Sequence, residues 1–177
     1  RWPAVDRDMN KIRFAIAGSA GRMGRTLIEA VLAAADAELV AALEHPGSPF
    51  IGKDAGELVG NPCGISIGAD IDAALANADC LIDFTRPEAT LLHLEKCRKH
   101  RVHLVIGTTG FSEAQKMMIQ QASTDIPLVF APNMAVGVNA VFKLLDMAAR
   151  ILNQDYDIEV IEAHHRHKVD APSGTAL

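Results

Sequence analysis

The stretch from residue 11 to residue 44 constrains this chain more than any other. Residues 11–17, KIRFAIA, form a compact β-rich run that ends at Gly18. Residues 22–35 then turn helical, with Met23, Leu27, Ile28 and Val31 at the i, i+4, i+5, i+8 spacing of one apolar face. Between them lies GSAGRMG, residues 18–24, a G-x-x-G-x-x-G turn rather than the commoner G-x-G-x-x-G. Glycines there permit a tight turn, let backbone N–H groups approach a pyrophosphate at a helix N-terminus, and allow helix and strand to pack closely. Residues 38–43 read as the next strand, and Glu44 at its end stands where a carboxylate accepts hydrogen bonds from adenosine ribose hydroxyls. A lone glycine pattern is weak evidence, and Glu44 alone reads slightly better as a solvated strand-end acid. Strand, turn, helix and acid together point to a bound dinucleotide, and so to a nicotinamide-dependent oxidoreductase. Arg22 and Arg25 fit an anion near the helix start, where the helix dipole disfavours cations; solvent exposure accounts for Arg25 as well.

The alternation continues. The pattern predicts helices over residues 70–76, 87–100 and 112–122, with strands over 79–84, 102–106 and 128–131. Pro87 suits a first helical turn and Ser112 an N-cap. Residues 45–64, rich in Gly and Pro, read as a long loop with capacity for motion. Strands and helices of these lengths imply an α/β fold, a doubly wound Rossmann-like parallel sheet covered on both faces. After Pro132 the rhythm changes. Residues 136–152 form the longest helix, with Val141, Leu144, Leu145, Ala148 and Leu152 on one face, and a strand is expected over 157–163. The expected organisation is a leader or vector-derived remnant at residues 1–8, a dinucleotide-binding domain at 9–132, and an incomplete α+β substrate and oligomerisation domain at 133–177. The last of these reads as truncated, because Leu177 follows directly on a helix-start signal.

Composition narrows the chemistry. With 177 residues, 49% of them hydrophobic, the chain can bury a proper core. No run approaches the roughly 18 apolar residues of a membrane span, so no membrane partner is expected. A net charge of −5 and the lack of a basic stripe argue against nucleic acid. Cys63, Cys80 and Cys97 are odd in number and scattered, with Cys80 expected in a buried strand. Unpaired thiols point to a reducing, cytoplasmic compartment.

Further candidate residues sit in later turns. Gly107, Thr108 and Thr109 follow a strand and precede a helix, where loops of a doubly wound sheet line the ligand crevice. Thr108 and Thr109 offer hydroxyls and amides to a nicotinamide ribose or carboxamide. Ala131, Pro132, Asn133 and Met134 occupy the next such loop, and Asp83 to Arg86 the preceding one. The densest cluster is HHRHKVDAPSGTA, from His164 onward. Interleaved Arg166 and Lys168 would repel a cation, so a metal is not expected. An anionic substrate suits the run better. His164 and Lys168, four apart, project to one side and form a usable acid–base pair. Ser173 can cap a helix, with Gly174 and Thr175 presenting N–H groups to a carboxylate.

The strings GSAGRMG, DFTRPEAT, GTTG and above all EAHHRHKVDAPSGTAL resemble the bacterial dihydrodipicolinate reductase (4-hydroxy-tetrahydrodipicolinate reductase) family, from about Met9 to Leu177. The resemblance implies NAD(P)H-dependent reduction, with loss of water, of a cyclic dicarboxylate in lysine and diaminopimelate biosynthesis, by a homotetramer. It implies cofactor contacts from Gly18, Ser19, Ala20, Gly21, Arg22, Met23 and Glu44, from Gly107, Thr108 and Thr109, and from Ala131, Pro132, Asn133 and Met134. His164 would be proton donor or acceptor, Lys168 proton donor, and His165, Gly174 and Thr175 substrate ligands. Two departures matter. Where known members carry Arg after the ribose-binding acid, this chain has His45, only partly charged at neutral pH with a reference pKa of about 6.5. NADH is therefore expected to serve at least as well as NADPH. Family members also continue past residue 177, so cofactor binding without efficient turnover is expected of these 177 residues alone. The alternatives are a related amino-acid-pathway dehydrogenase, which has no use for the HHRHK run, and a catalytically silent dinucleotide-binding domain, which has no need of the acid–base pair.

Overall fold

The computed structural model describes residues 11–166, 172, 173, 175 and 176. The expected leader at residues 1–8 lies outside them. The chain divides into two compact units, one ending at Phe130 and the other beginning at Ala131.

The first unit is built on six parallel strands. In chain order they are β1 (Ile12–Ala17), β2 (Ala37–Leu43), β3 (Ile67–Gly68), β4 (Cys80–Asp83), β5 (His103–Ile106) and β6 (Leu128–Phe130). The helices are α1 (Arg22–Ala33), α2 (Ile71–Leu75), α3 (Pro87–His100) and α4 (Glu113–Ala122). The sheet order is β3-β2-β1-β4-β5-β6, every pairing parallel. This is the doubly wound α/β arrangement, with the strand order reversing on either side of β1. Parallel strands covered on both faces are apolar throughout. Ile16, with Ile28 and Val31 of α1, lies in one core cluster, while Ala15, Leu81, Leu104, Ile106 and Ile119 lie in the other.

Local chemistry sets the helix ends. Asp70 accepts from the Ala73 N–H and starts α2. Ser112 and Gln115 form a reciprocal capping box at α4, a device that satisfies two orphan donors. The buried face of α1 runs through Gly24, Ile28 and Val31, one residue away from the Met23 register expected from spacing; Met23 is exposed. The reason is close approach. A Cβ on Gly24 would fall on the carbonyl oxygen of Gly18 and lie 2.7 Å from the Ser19 Cα.

The glycine-rich segment after β2 is tightly organised. The Asp54 carboxylate accepts the backbone N–H groups of Gly56 (2.7 Å), Glu57 (3.1 Å), Cys63 (3.1 Å) and Gly64 (2.5 Å). These bonds hold its pKa below the usual carboxylate value, Cys63 contributing most, against the upward push of burial. The long loop expected over residues 45–64 is folded around one anion, with a short 3₁₀ turn at Gly56–Val59.

The second unit contains α5 (Val136–Ile151). Residues 157–163, expected as a strand, are not paired into a sheet among the described residues and are exposed. A β run persists only where a neighbour completes its ladder. The apolar face of α5 is likewise open, with Val141, Leu144 and Leu145 each more than half exposed.

Candidate active site

In open parallel sheets, ligands bind outside the carboxyl ends of the strands where the order reverses. Here that point lies beyond β1, and the glycine turn occupies it. The first intrahelical bond of α1 runs from the Arg25 N–H to the Gly21 carbonyl, at 3.0 Å. The N–H groups of Arg22, Met23 and Gly24 therefore have no acceptor within the helix. No side chain caps this end and no acid lies in the first turn. Such a terminus is suited to a phosphate. Gly21, Arg22 and Met23 are all exposed.

Glu44 is brought to the same place from β2. Its Oε1 accepts the Ala20 N–H at 2.9 Å, so turn and carboxylate are coupled directly. His45 beside it is exposed. Arg25 donates through Nε to the Ala20 carbonyl and stands 5.7 Å from the centre of the Phe50 ring, which Lys53 flanks at 5.0 Å. The loop after β2 thus leans on the first turns of α1 through cation–π contacts. Ser19 sits differently. It is fully buried, its N–H is given to the Leu43 carbonyl, and its hydroxyl has no partner among the described residues.

The loop after β5 divides in the same way. Thr109 is exposed, whereas Thr108 is buried and its hydroxyl turns inward. There it accepts from Thr90 Oγ1 at 3.0 Å and donates to Asp83 Oδ1 at 3.4 Å. Asp83, at the end of β4, is completely buried and pairs with Nδ1 of His93 on α3 at 2.7 Å. Burial pushes the Asp83 pKa up, but the His93 bond and charge, helped by two bonds from Thr85, leave it below the ordinary value. Spacing alone did not single out Asp83 with His93. An acid at the end of an apolar strand, ten residues before a histidine on a following helix, was the available signal.

The second unit holds the remaining candidates. Asn133 Oδ1 accepts the Ala135 N–H at 2.8 Å, and its Nδ2 reaches Thr175 Oγ1 at 3.4 Å. Ala131 and Asn133 are half-buried, Pro132 and Met134 exposed. His164 and His165 are exposed, and Nδ1 of His164 lies 3.6 Å from Glu162 Oε2. Glu162 also accepts the Ser173 N–H, at 3.0 Å, folding the end of the run back on its beginning. Ser173 starts a turn, with the Ala176 N–H bonded to its carbonyl at 2.8 Å. Lys168 and Gly174 lie outside the described residues. Spacing leaves Glu162 unmarked, although a residue two before His164 in extended backbone shares its side.

The family model described as dihydrodipicolinate reductase, N-terminus, matches residues 12–134, and its C-terminus counterpart matches residues 137–177. The chain is 62% identical over 169 residues to a 4-hydroxy-tetrahydrodipicolinate reductase of Nitrosospira multiformis, and 60% identical to that of Laribacter hongkongensis, covering 96% of this chain in each case. It spans 63% of the length of each of those relatives. Among solved structures, a dipicolinate-bound dihydrodipicolinate reductase from Paenisporosarcina sp. TG-14 superimposes with a TM-score of 0.70 at 32% identity, covering 94% of this chain and 63% of that one. The WlbA dehydrogenase of Chromobactrium violaceum, at 22% identity, a TM-score of 0.61 and 81% of this chain against 41% of its own, shares the fold alone. A single family accounts for the glycine turn, the GTTG loop and the histidine run together: this chain belongs to the dihydrodipicolinate reductases.

Proposed function

We propose that this chain supplies the dinucleotide-binding part, and the start of the substrate-binding part, of an NAD(P)H-dependent reductase of 4-hydroxy-tetrahydrodipicolinate. The observation that carries the reading is the junction of Glu44 with the glycine turn, beside three helix N–H groups without an intrahelical acceptor. The substrate comes from the names of relatives at 60% identity and above. No helix among the described residues is long and apolar enough to cross a membrane. We place the protein in the cytoplasm, as a homotetramer at the relatives' full length.

The residues divide the work. The N–H groups at the start of α1 bind the pyrophosphate, and Glu44 holds the adenosine ribose, its free oxygen accepting a hydroxyl while the other stays on Ala20. Ser19 supports the turn from beneath with its side chain buried, and its backbone belongs to the cofactor cradle. The backbone of Gly107–Thr109 and the Thr109 hydroxyl orient the nicotinamide half, and residues 131–134 complete the cofactor contacts. The cofactor supplies a hydride. His164 and Lys168 hold and deliver the protons, with Glu162 orienting the His164 ring through Nδ1, and His165, Gly174 and Thr175 bind the substrate carboxylates. His45 in place of a fixed cation makes NADH at least as good a donor as NADPH. A steady-state preference for NADPH above roughly tenfold, about 1.4 kcal/mol, would overturn that point.

The test of the whole reading follows NADH absorbance on addition of the cyclic substrate, wild type against His164→Ala and Lys168→Ala, in the whole protein. Turnover should fall by about 10²–10⁴-fold, the usual worth of a positioned acid or base, with NADH affinity within twofold. Normal turnover by both variants would sink the acid–base assignment.

A further inference from the structure

A carboxylate buried without exposure is costly unless its charge is paired and its lone pairs are bonded. Both oxygens of Asp83 are hydrogen-bonded, and the partners come from three separate pieces of chain. Oδ1 accepts the Thr85 N–H at 2.8 Å, the Thr85 hydroxyl at 2.6 Å and the Thr108 hydroxyl at 3.4 Å. Oδ2 faces His93 Nδ1 at 2.7 Å. The Thr90 hydroxyl donates to Thr108 at 3.0 Å, so a directed relay of hydroxyls ends on the carboxylate. The backbone adds one more tie, from the Gly107 N–H to the Asp83 carbonyl at 2.9 Å.

Stability alone does not call for this arrangement, since well-packed apolar residues in place of a buried ion pair are often neutral or stabilising. A fully bonded polar network supplies something else, a single fixed geometry for the segments it joins. What it joins is the loop after β4, the start of α3 and the loop after β5. The strand order puts these on the β4–β5 side of the glycine turn, opposite Glu44 just after β2. A dinucleotide extended across the switch point, with its adenosine ribose at Glu44, directs its second half to that side.

We propose that Asp83, His93, Thr90 and Thr108 are positioning residues that hold the backbone of Gly107–Thr109 in the shape that receives the nicotinamide half of the cofactor. They act from beneath the loop, through Thr108, and need not touch the ligand. The inference rests on the reading that residues 107–109 face that half.

The test compares two ligands on the same protein by titration calorimetry, well below the melting point of each variant: NADH, which engages both halves, and ADP, which engages only the adenosine half. Thr108→Val, which keeps the side-chain shape and removes the hydroxyl, should weaken NADH about tenfold and ADP less than twofold. Asp83→Asn and His93→Leu should do the same, and Thr108→Ser, which restores the hydroxyl, should recover NADH affinity to within threefold of wild type. Equal weakening of both ligands would reduce the network to general stabilisation and overturn the proposal. So would unchanged NADH affinity in Thr108→Val. If wild type binds neither NADH nor ADP, the dinucleotide reading itself has failed, a result distinct from either of these.

Discussion

The glycine turn after β1 and the loop after β5 stand at the same edge of one sheet and are held in shape by opposite means. The turn is fixed by what is missing. Gly24 has no side chain, the helix lies almost on the turn's backbone, and backbone bonds are joined there by Arg25 on the Ala20 carbonyl and Glu44 on the Ala20 N–H. The later loop is fixed by an addition, a buried carboxylate and histidine with threonine hydroxyls gathered round them. Missing atoms cannot be titrated or tuned, whereas a charge network can. The first device gives a cradle set by close backbone approach, and the second ties its loop to a carboxylate, an imidazole and single hydroxyls.

The largest effect that separates the two is expected from Gly24→Ala. Its Cβ would fall on the Gly18 carbonyl oxygen and lie within 2.8 Å of the Gly18 carbonyl carbon, and backbone cannot rotate aside. Overpacking of this kind costs about 3 kcal/mol at the upper end of its usual range. Thermal unfolding should show that loss, and calorimetry should show NADH and ADP binding falling together. Retention of ADP binding would break the contrast, because the turn would then have another way to keep its shape.

Asp83→Asn should come next, at about 2 kcal/mol, the range for losing a hydrogen bond to a charged group. This loss depends on pH. The Asp83 pKa is lowered in the folded protein, so its contribution is complete above the unfolded value of about 3.9 and fades as pH falls through the lower folded value. The stability gap between wild type and Asp83→Asn, read by urea unfolding, should be constant from pH 6 to pH 5 and close below about pH 4. The Gly24→Ala gap should not change over that range. A parallel closing of both gaps would mean that acid acts on the whole domain rather than on the network.

What could be read in the sequence follows the same division. Pro87–His100 falls where the proline and the apolar spacing put it, and Ser112 caps α4 as its position implied. These features are local, set within a few residues. The Asp83–His93 pair forms only when β4 and α3 pack, and the Asp54 knot closes a loop across ten residues, so neither leaves a short-range pattern. The strand expected at 157–163 failed for a related reason. Alternating apolar residues there describe a face, but a ladder partner decides whether a strand exists, and the described residues provide none. In the candidate site, spacing drew attention to Thr108 and Thr109 as a pair. The packing separates them, one turned into the network and one outward.

Gly107→Ala sharpens the comparison on a smaller scale. A Cβ there would meet the ring of Phe84, a half-buried side chain, and not backbone. The ring can swing away, so about 1 kcal/mol is expected, at the low end of overpacking costs. Phe84→Leu in the same chain should recover most of it in thermal unfolding. A cost as large as that of Gly24→Ala, unrelieved by Phe84→Leu, would show the two loops to be equally intolerant.

The smallest effect should have the opposite sign. Ser19 is buried under the glycine turn with its N–H on the Leu43 carbonyl, and its hydroxyl has no partner among the described residues. A buried polar atom left unbonded forfeits its hydration without recompense, so its removal relieves a penalty. Ser19→Ala should therefore raise stability by roughly 0.5–1 kcal/mol, part of the desolvation cost of one hydroxyl. NADH affinity should stay within twofold, because the cradle is made of backbone and the Ala20 N–H still meets Glu44. The alternative is that the Ser19 hydroxyl reaches the cofactor once it binds. In that case Ser19→Ala would weaken NADH and ADP alike, and the turn would hold its ligand by a side chain as well as by its backbone.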